Sequence, residues 1–213
     1  MKSKEFVGFE ELTKQELWTL CMAEYDNANP LVKYLINNFY TNLEQIIEKT
    51  GDCKSYFEIG CGAGESSRRI HKMLSKNKSF EASDFDKRYV ELLNEKEMPF
   101  PVSQQSIYEI QKADNAYDCV ICLEVMEHLE YPEKAVKELF RVASKSVIIS
   151  VPNEPIWRIL NMTRLKYLKD FGNTPGHINH FSSNSLKKLT EPYSKTVLTV
   201  KPTPWVILHA TKK

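Results

Sequence analysis

Residues 57 to 67 read FEIGCGAGESS. An apolar run enters a turn that packs Gly60, Gly62 and Gly64, three of the chain's seven glycines, into five positions. A strand, a glycine turn and a helix start in that order hold a ligand at the carboxyl end of a strand in an open parallel sheet. The spacing is G-x-G-x-G, whereas a dinucleotide fingerprint is G-x-G-x-x-G, and Glu65 stands where the third fingerprint glycine would be. A carboxylate in the first helical turn repels a pyrophosphate and tolerates a cationic or zwitterionic ligand. No Lys-Ser or Lys-Thr follows the glycines, so the nucleoside-triphosphate loop fails as well.

Outward from the turn the chain alternates. Short apolar runs, SYFEIGC, FEASDF, FPVSQQS, DCVICLEV and KSVIISVP, are separated by helical segments at Ser66 to Leu74, Lys87 to Lys96 and Glu133 to Val142. This rhythm predicts an α/β, doubly wound parallel sheet. TVLTV and WVILHATK are joined only by KPTP, too short for a crossover helix, so that pair is expected to be antiparallel. Before the first strand, the capping box TKQE at Thr13 to Glu16 and the helical spacing of Leu31, Tyr34, Leu35, Phe39, Leu43, Ile46 and Ile47 predict a helical cap over residues 1–50. The organisation expected is one domain: the cap, a ligand-binding core over 51–153, a lid loop over 154–181, and a closing helix and strand pair over 182–213.

Composition bounds the partners. With 213 residues and 42% apolar content there is one full core, and lysine plus arginine number 29 against 28 acids. The net charge of +1 provides no field for nucleic acid or anionic lipid, and no basic patch with interleaved aromatics is visible. No apolar run reaches membrane-spanning length, and the charged start MKSKEFVGFEE is unlike a signal peptide. The chain is therefore expected in the cytoplasm. Cys119 and Cys122 form a C-x-x-C within a strand, where a spacing of three puts the thiols on opposite faces. Cys21, Cys53 and Cys61 have no ligand spacing, so neither a disulfide framework nor a metal is expected.

Asp84 lies 20 residues beyond Gly64, at the tip of FEASDF, where a doubly wound fold places the acid that accepts ribose hydroxyls. Asp86, just before KRYVELL, suits a helix N-cap better.

These segments, followed by VSQQSIYEI, AYDCVICLEVMEHLEYPEKAVKELFRV and VIISVPN, resemble in order the successive motifs of class I S-adenosylmethionine-dependent methyltransferases. The nearest likeness is to the small-molecule branch, types 11 and 12, that includes ubiquinone-type O-methyltransferases. The resemblance runs from about residue 54 to 153 and implies a Rossmann-like sheet of seven strands, mostly parallel with an antiparallel last strand. It implies S-adenosyl-L-methionine as cofactor and S-adenosyl-L-homocysteine as product. Glu58 would organise the turn and meet the ligand's ammonium, while Gly60, Cys61 and Gly62 let backbone approach its methionine part. Asp84 would hold the ribose, Phe85, Ser106 and Ile107 the adenine, and the Leu123 carbonyl the ammonium. The family often has Asp where this chain has Ser106. Lys33, shortly after Asn29-Pro30, is nearest to the family's basic contact to the cofactor carboxylate, and Tyr25 would close over the cofactor. Without that context Phe85, Ile107 and Leu123 read as core residues.

Transfer of a sulfonium methyl asks chiefly for alignment, and for a base where the acceptor must lose a proton. His128 in EVMEHLEYP, and His177 and His180 in GNTPGHINHF, are the catalytic candidates. The 28-residue loop from Glu154 to Phe181 is long enough to be functional. Its first half, PIWRILNMTRLKYLK, is expected to form a helix, and its second half to be turn-rich, with the whole roofing the substrate site. A zinc site there lacks further ligands. On a helical wheel Arg164 falls inside the apolar arc, so the helix is a poor membrane surface, although peripheral contact stays open. The Asn-Pro-Pro-aromatic motif of adenine and glutamine N-methylation is absent, which leaves a small metabolite as the default acceptor. A NAD-dependent oxidoreductase and a non-catalytic binding scaffold are the competing readings; oligomeric state is not legible.

Overall fold

The computed structural model describes residues 12–26, 29–165 and 167–213, without the side chains of residues 20 and 23–26. The chain opens on α1 (Lys14–Asp26), whose capping box is formed: Thr13 N–H donates to Glu16 Oε2 at 2.8 Å and Glu16 N–H to Thr13 Oγ1 at 3.3 Å. α2 (Pro30–Lys49) starts with proline in its first turn, and the Asn29 side chain accepts the Val32 N–H at 2.9 Å. Its Leu43, Ile46 and Ile47 stripe is buried, about 1.5–3 kcal/mol per side chain.

Seven strands follow: β1 (Ser55–Ile59), β2 (Ser79–Asp84), β3 (Val102–Gln104), β4 (Tyr117–Leu123), β5 (Ala143–Pro152), β6 (Ser194–Val200) and β7 (Trp205–Lys212). The sheet order is β3-β2-β1-β4-β5-β7-β6. β1 to β5 pair in parallel, and β7 runs antiparallel to both β5 and β6. The seven-stranded, mostly parallel sheet expected from the sequence is therefore present. Winding reverses between β1 and β4, so a crevice opens at their carboxyl ends.

Alternate residues of the central strands feed two cores. Phe57, Val120 and Cys122 pack under α5 (Pro132–Val142) and α7 (Ser183–Thr190). Tyr56, Cys119 and Ile121 pack under α2, α3 (Glu65–Met73) and α4 (Lys87–Glu95). Cys119 and Cys122 thus fall in opposite cores, and no disulfide joins two cysteines among the described residues. Asp86 caps α4 as expected, accepting the Arg88 N–H at 2.9 Å.

The lid segment departs from expectation. α6 (Ile156–Thr163) stops before the predicted end of its helix, because side chains of that helix bind the returning chain. Asn161 Nδ2 donates to Gly172 O at 2.9 Å and Arg158 Nε to Phe171 O at 3.0 Å. Leu165, Tyr167 and Phe171 accordingly sit in left-handed conformations that no helix continues. Arg164 becomes the C-cap, so the wheel that placed it in an apolar arc does not exist. Among the described residues no helix is long and apolar enough to cross a membrane.

Candidate functional site

The turn after β1 is built from backbone. Gly60 and Cys61 N–H both donate to Ser83 O, at 2.8 and 2.9 Å, and Gly64 N–H closes on Cys61 O at 2.8 Å. Gly60 has φ +85, and a Cβ there would stand 2.2 Å from Val125 Cγ2, so any side chain would push the β4 loop away. At Gly62, φ +49, a Cβ would meet nothing, which leaves the backbone open to a close ligand.

β2 clasps this turn from below. Asp84 Oδ2 accepts the Gly62 N–H at 2.7 Å and Oδ1 accepts the Asp86 N–H at 2.8 Å. A carboxylate has about four acceptor positions, so about one stays free on each oxygen. Burial raises the Asp84 carboxyl above its ordinary range against those hydrogen bonds. Behind the turn, Glu58 is fully buried, and Ser67 Oγ donates to its Oε2. Its Oε1 has no hydrogen-bond partner among the described residues, and burial pushes its pKa up to about 7. Burial of this kind is tolerated when a ligand supplies the missing donor.

A cleft of about 240 Å³ opens beside the turn. Gly60, Cys61, Gly62 and Leu123 line it, four of the residues expected from sequence. Phe85 projects into solvent at 75% exposure next to Asp84, and is not a core residue. Ser106 is half-buried, its Oγ accepting the Tyr108 N–H at 3.3 Å, and Ile107 is packed in the core under α5. Lys33 is exposed on α2 and does not line the cleft. The expectation for Tyr25 falls on a side chain outside the described residues. Glu65 also lines the cleft; against the upward pull of burial, Arg68 and Arg69 hold its carboxyl below the ordinary value. Its charge at the helix start is therefore balanced, and its repulsion of a pyrophosphate is weaker than the bare sequence suggests.

Phe39 and Tyr40 of α2 form the cap side of the cleft, and sequence reasoning missed them because their helical spacing reads simply as core. A larger depression, about 320 Å³, lies between α5 and the carboxyl terminus, lined by Lys137, Arg141 and Lys212. Arg141 there is engaged by Glu138 and Asp114.

Beyond Leu123 the chain turns sharply. Glu124 has φ +55; its N–H donates to Ser150 O at 3.2 Å, and Ser150 Oγ donates to its Oε1 at 2.6 Å. Burial pushes this carboxyl up to about 7. The short 3-10 turn Met126–His128 then receives the lid: Ile178 and Asn179 N–H donate to Glu127 O at 2.9 and 3.0 Å. Glu127 is 2% exposed, its Oε2 has no hydrogen-bond partner among the described residues, and burial followed by the charge of Glu124 raises its pKa. His128 Nδ1 lies 3.0 Å from Gly176 O. A carbonyl only accepts, so Nδ1 carries the proton and Nε2 the lone pair, 3.9 Å from Glu127 Oε1. Burial lowers the His128 pKa.

His177 is buried, its ring edge-on to His128 at 4.9 Å and stacked with Trp157 at 6.1 Å. Burial, then the charges of His128 and His180, push it down to about 4. His180 points away, exposed, with Nε2 2.9 Å from Asn173 Oδ1. Of the three histidines the fold joins His128 and His177 and leaves His180 apart. Donor atoms of Glu127, His128 and His177 lie within 4.8 Å of one another. Two of these donors, Glu127 and His128, come from a turn about 50 residues before the lid histidine, which the spacing of the lid histidines alone does not reveal.

Residues 57–151 match the family profile described as a methyltransferase domain. Among curated protein sequences none matches the chain. Among solved structures it is similar to a Thermotoga maritima protein described as a possible histamine N-methyltransferase, 16% identical over 94% of this chain and 100% of that one, TM-score 0.65. It is similar to magnesium protoporphyrin IX methyltransferase from Synechocystis PCC 6803 with bound S-adenosylhomocysteine, 17% identical over 87% and 89%, TM-score 0.63. A methyltransferase from Aquifex aeolicus is 19% identical over 80% and 89%, TM-score 0.59. At such identities these likenesses speak for the fold, and the domain match covers residues 57–151.

Proposed function

We propose that the chain, whose residues 57–151 match a methyltransferase domain, is a class I S-adenosylmethionine-dependent methyltransferase that methylates an oxygen or nitrogen atom of a small-molecule acceptor. The observation that carries the reading is the clasp of Asp84 on Gly62 beside an open cleft. The residues present fit the cofactor. Asp84 keeps about two acceptor positions for the ribose hydroxyls, Glu58 Oε1 awaits a donor such as the ammonium group, and exposed Phe85 offers a face to the adenine. Ser106, Ile107 and the Leu123 carbonyl complete the proposed cofactor contacts, with Tyr25 as the cap's contribution.

When bound, S-adenosylmethionine supplies an activated sulfonium methyl group. Alignment is the main task left to the protein, and Gly60 and Val125, in contact, set the glycine turn against the segment that leads to His128. At the acceptor side His128 Nε2 carries a lone pair at neutral pH and takes a proton from an O–H or N–H that reaches it. His177 and Trp157 form a wall that excludes water, and His180, held by Asn173, contacts substrate rather than moving its proton. The net charge of +1 favours a small metabolite over nucleic acid, and cysteines that form no disulfide among the described residues favour a reducing cytoplasm.

Calorimetry with S-adenosylhomocysteine and NAD, followed by transfer of labelled methyl into small-molecule extracts, tests this reading. Binding of S-adenosylhomocysteine alone and label in O- or N-methyl products are expected. Label on carbon only would overturn the acceptor assignment and leave the cofactor site intact.

A further inference from the structure

We infer that Glu127, His128 and His177 bind a divalent transition-metal ion that clasps the lid loop to the carboxyl end of β4. Three observations carry it. The donor atoms of these residues already converge within 4.8 Å. Donors sharing one ion at about 2.0–2.2 Å lie roughly 3–4 Å apart, so a contraction of about 1 Å completes the set. Glu127 is 2% exposed, and its Oε2 has no hydrogen-bond partner among the described residues. A carboxylate oxygen left bare in a protein interior is costly, and a cation is what an arrangement of two imidazoles and one carboxylate lacks.

His128 is also oriented as a ligand. Its Nδ1–H donates to the Gly176 carbonyl at 3.0 Å, which fixes the ring and directs the lone pair onto Nε2, the nitrogen facing Glu127. Metal-binding histidines are held in this way by a carbonyl on the other ring nitrogen. The carbonyl comes from the lid, one residue before His177, and Ile178 and Asn179 bind the Glu127 carbonyl, so two further contacts hold the lid where the donors meet.

The donor set names the ion class. Two imidazoles and a carboxylate suit Zn²⁺, Co²⁺ or Fe²⁺ better than Mg²⁺ or Ca²⁺, which prefer all-oxygen sites. Three protein ligands leave at least one position for an acceptor oxygen or nitrogen. That consequence rests on the acceptor reading above; the binding of the ion does not. A bound ion occupies the Nε2 lone pair, so ligand and base are alternative roles for His128.

The test uses the full chain stripped with a chelator and titrated with Co²⁺ alone, followed by calorimetry and visible absorption. One equivalent with d–d bands is expected, displaced by Zn²⁺, together with slower proteolysis within residues 154–181. Glu127→Gln, which keeps the shape of the side chain, and His177→Ala are each expected to weaken Co²⁺ binding at least tenfold while S-adenosylhomocysteine affinity changes less than twofold. The unchanged ligand affinity reports that the variants fold. Wild-type protein that binds no Co²⁺ at 0.1 mM, or variants that bind it as wild type does, would overturn the inference. Carbon methylation by a protein that still binds Co²⁺ would remove the acceptor reading alone.

Discussion

The glycine turn and the histidine cluster sit at the ends of neighbouring strands, yet they are held by different means. At the turn, backbone N–H groups of Gly60, Cys61 and Gly62 are gripped by Ser83 and Asp84 of the adjacent strand, all at or below 2.9 Å. At the cluster, His128 meets His177 across a lid loop, and the groups that join them are one backbone carbonyl, two lid N–H groups and the amide of Asn179. On the proposed function the first is the cofactor seat, set by sheet geometry, and the second the acceptor side, set by whatever the lid brings. Exchange of the lid should then change the substrate and keep the cofactor.

The sharpest way to break that comparison is at Asp84. Asp84→Ala removes charge-assisted contacts worth about 1.5–3 kcal/mol each, so the S-adenosylhomocysteine Kd measured by calorimetry should rise tenfold to over a hundredfold. Unchanged affinity would move the ribose site elsewhere.

Glu58 offers an effect of similar size with a defined sign. Its folded pKa of about 7 exceeds its ordinary 4.5, so the folded state holds the proton longer than the unfolded chain does. Its contribution is complete below about pH 4.5 and is lost as pH rises to about 7, by roughly 3 kcal/mol. Glu58→Gln carries no such titration. The stability difference between wild type and this variant, from denaturant melts at several pH values, should therefore shift against wild type between pH 4.5 and 7, and less so with S-adenosylhomocysteine bound. Parallel curves would remove Glu58 from that role.

Gly60→Ala should destabilise the fold by about 1–3 kcal/mol, through positive φ and the contact with Val125. Thermal denaturation reads the loss, and adding Val125→Ala should restore only its steric part.

The lid gives the smallest effects. Asn179→Ala removes side-chain hydrogen bonds to Met126 O and Leu129 O, about 1 kcal/mol net each, and should speed proteolysis of residues 154–181 while cofactor affinity is unchanged. His180→Ala should alter kcat less than His128→Ala does, since His180 stands apart from the pair. Equal losses would show that the lid rearranges before transfer.

Legibility followed the same division. The β1 turn, Asp84 and the N-cap role of Asp86 were readable because each depends on residues within a few positions and on the alternation of strand and helix. The length of α6 was not, since Asn161 and Arg158 end it by binding residues ten or more positions later. Phe39 and Tyr40 carry no signal that distinguishes a cleft wall from a core stripe, and Glu127 reads as one more acid in EVMEHLE until its burial is known.

By itself the amino-acid sequence determined the doubly wound class, the glycine turn and the helix cap at Asp86, because glycine spacing, capping and apolar periodicity act over short stretches of chain. Only the tertiary structure decided which histidines meet, which carboxylates lose their water, and that Glu127 joins His128 and His177. Those outcomes depend on burial and on contacts between segments some 50 residues apart, and no local pattern encodes them.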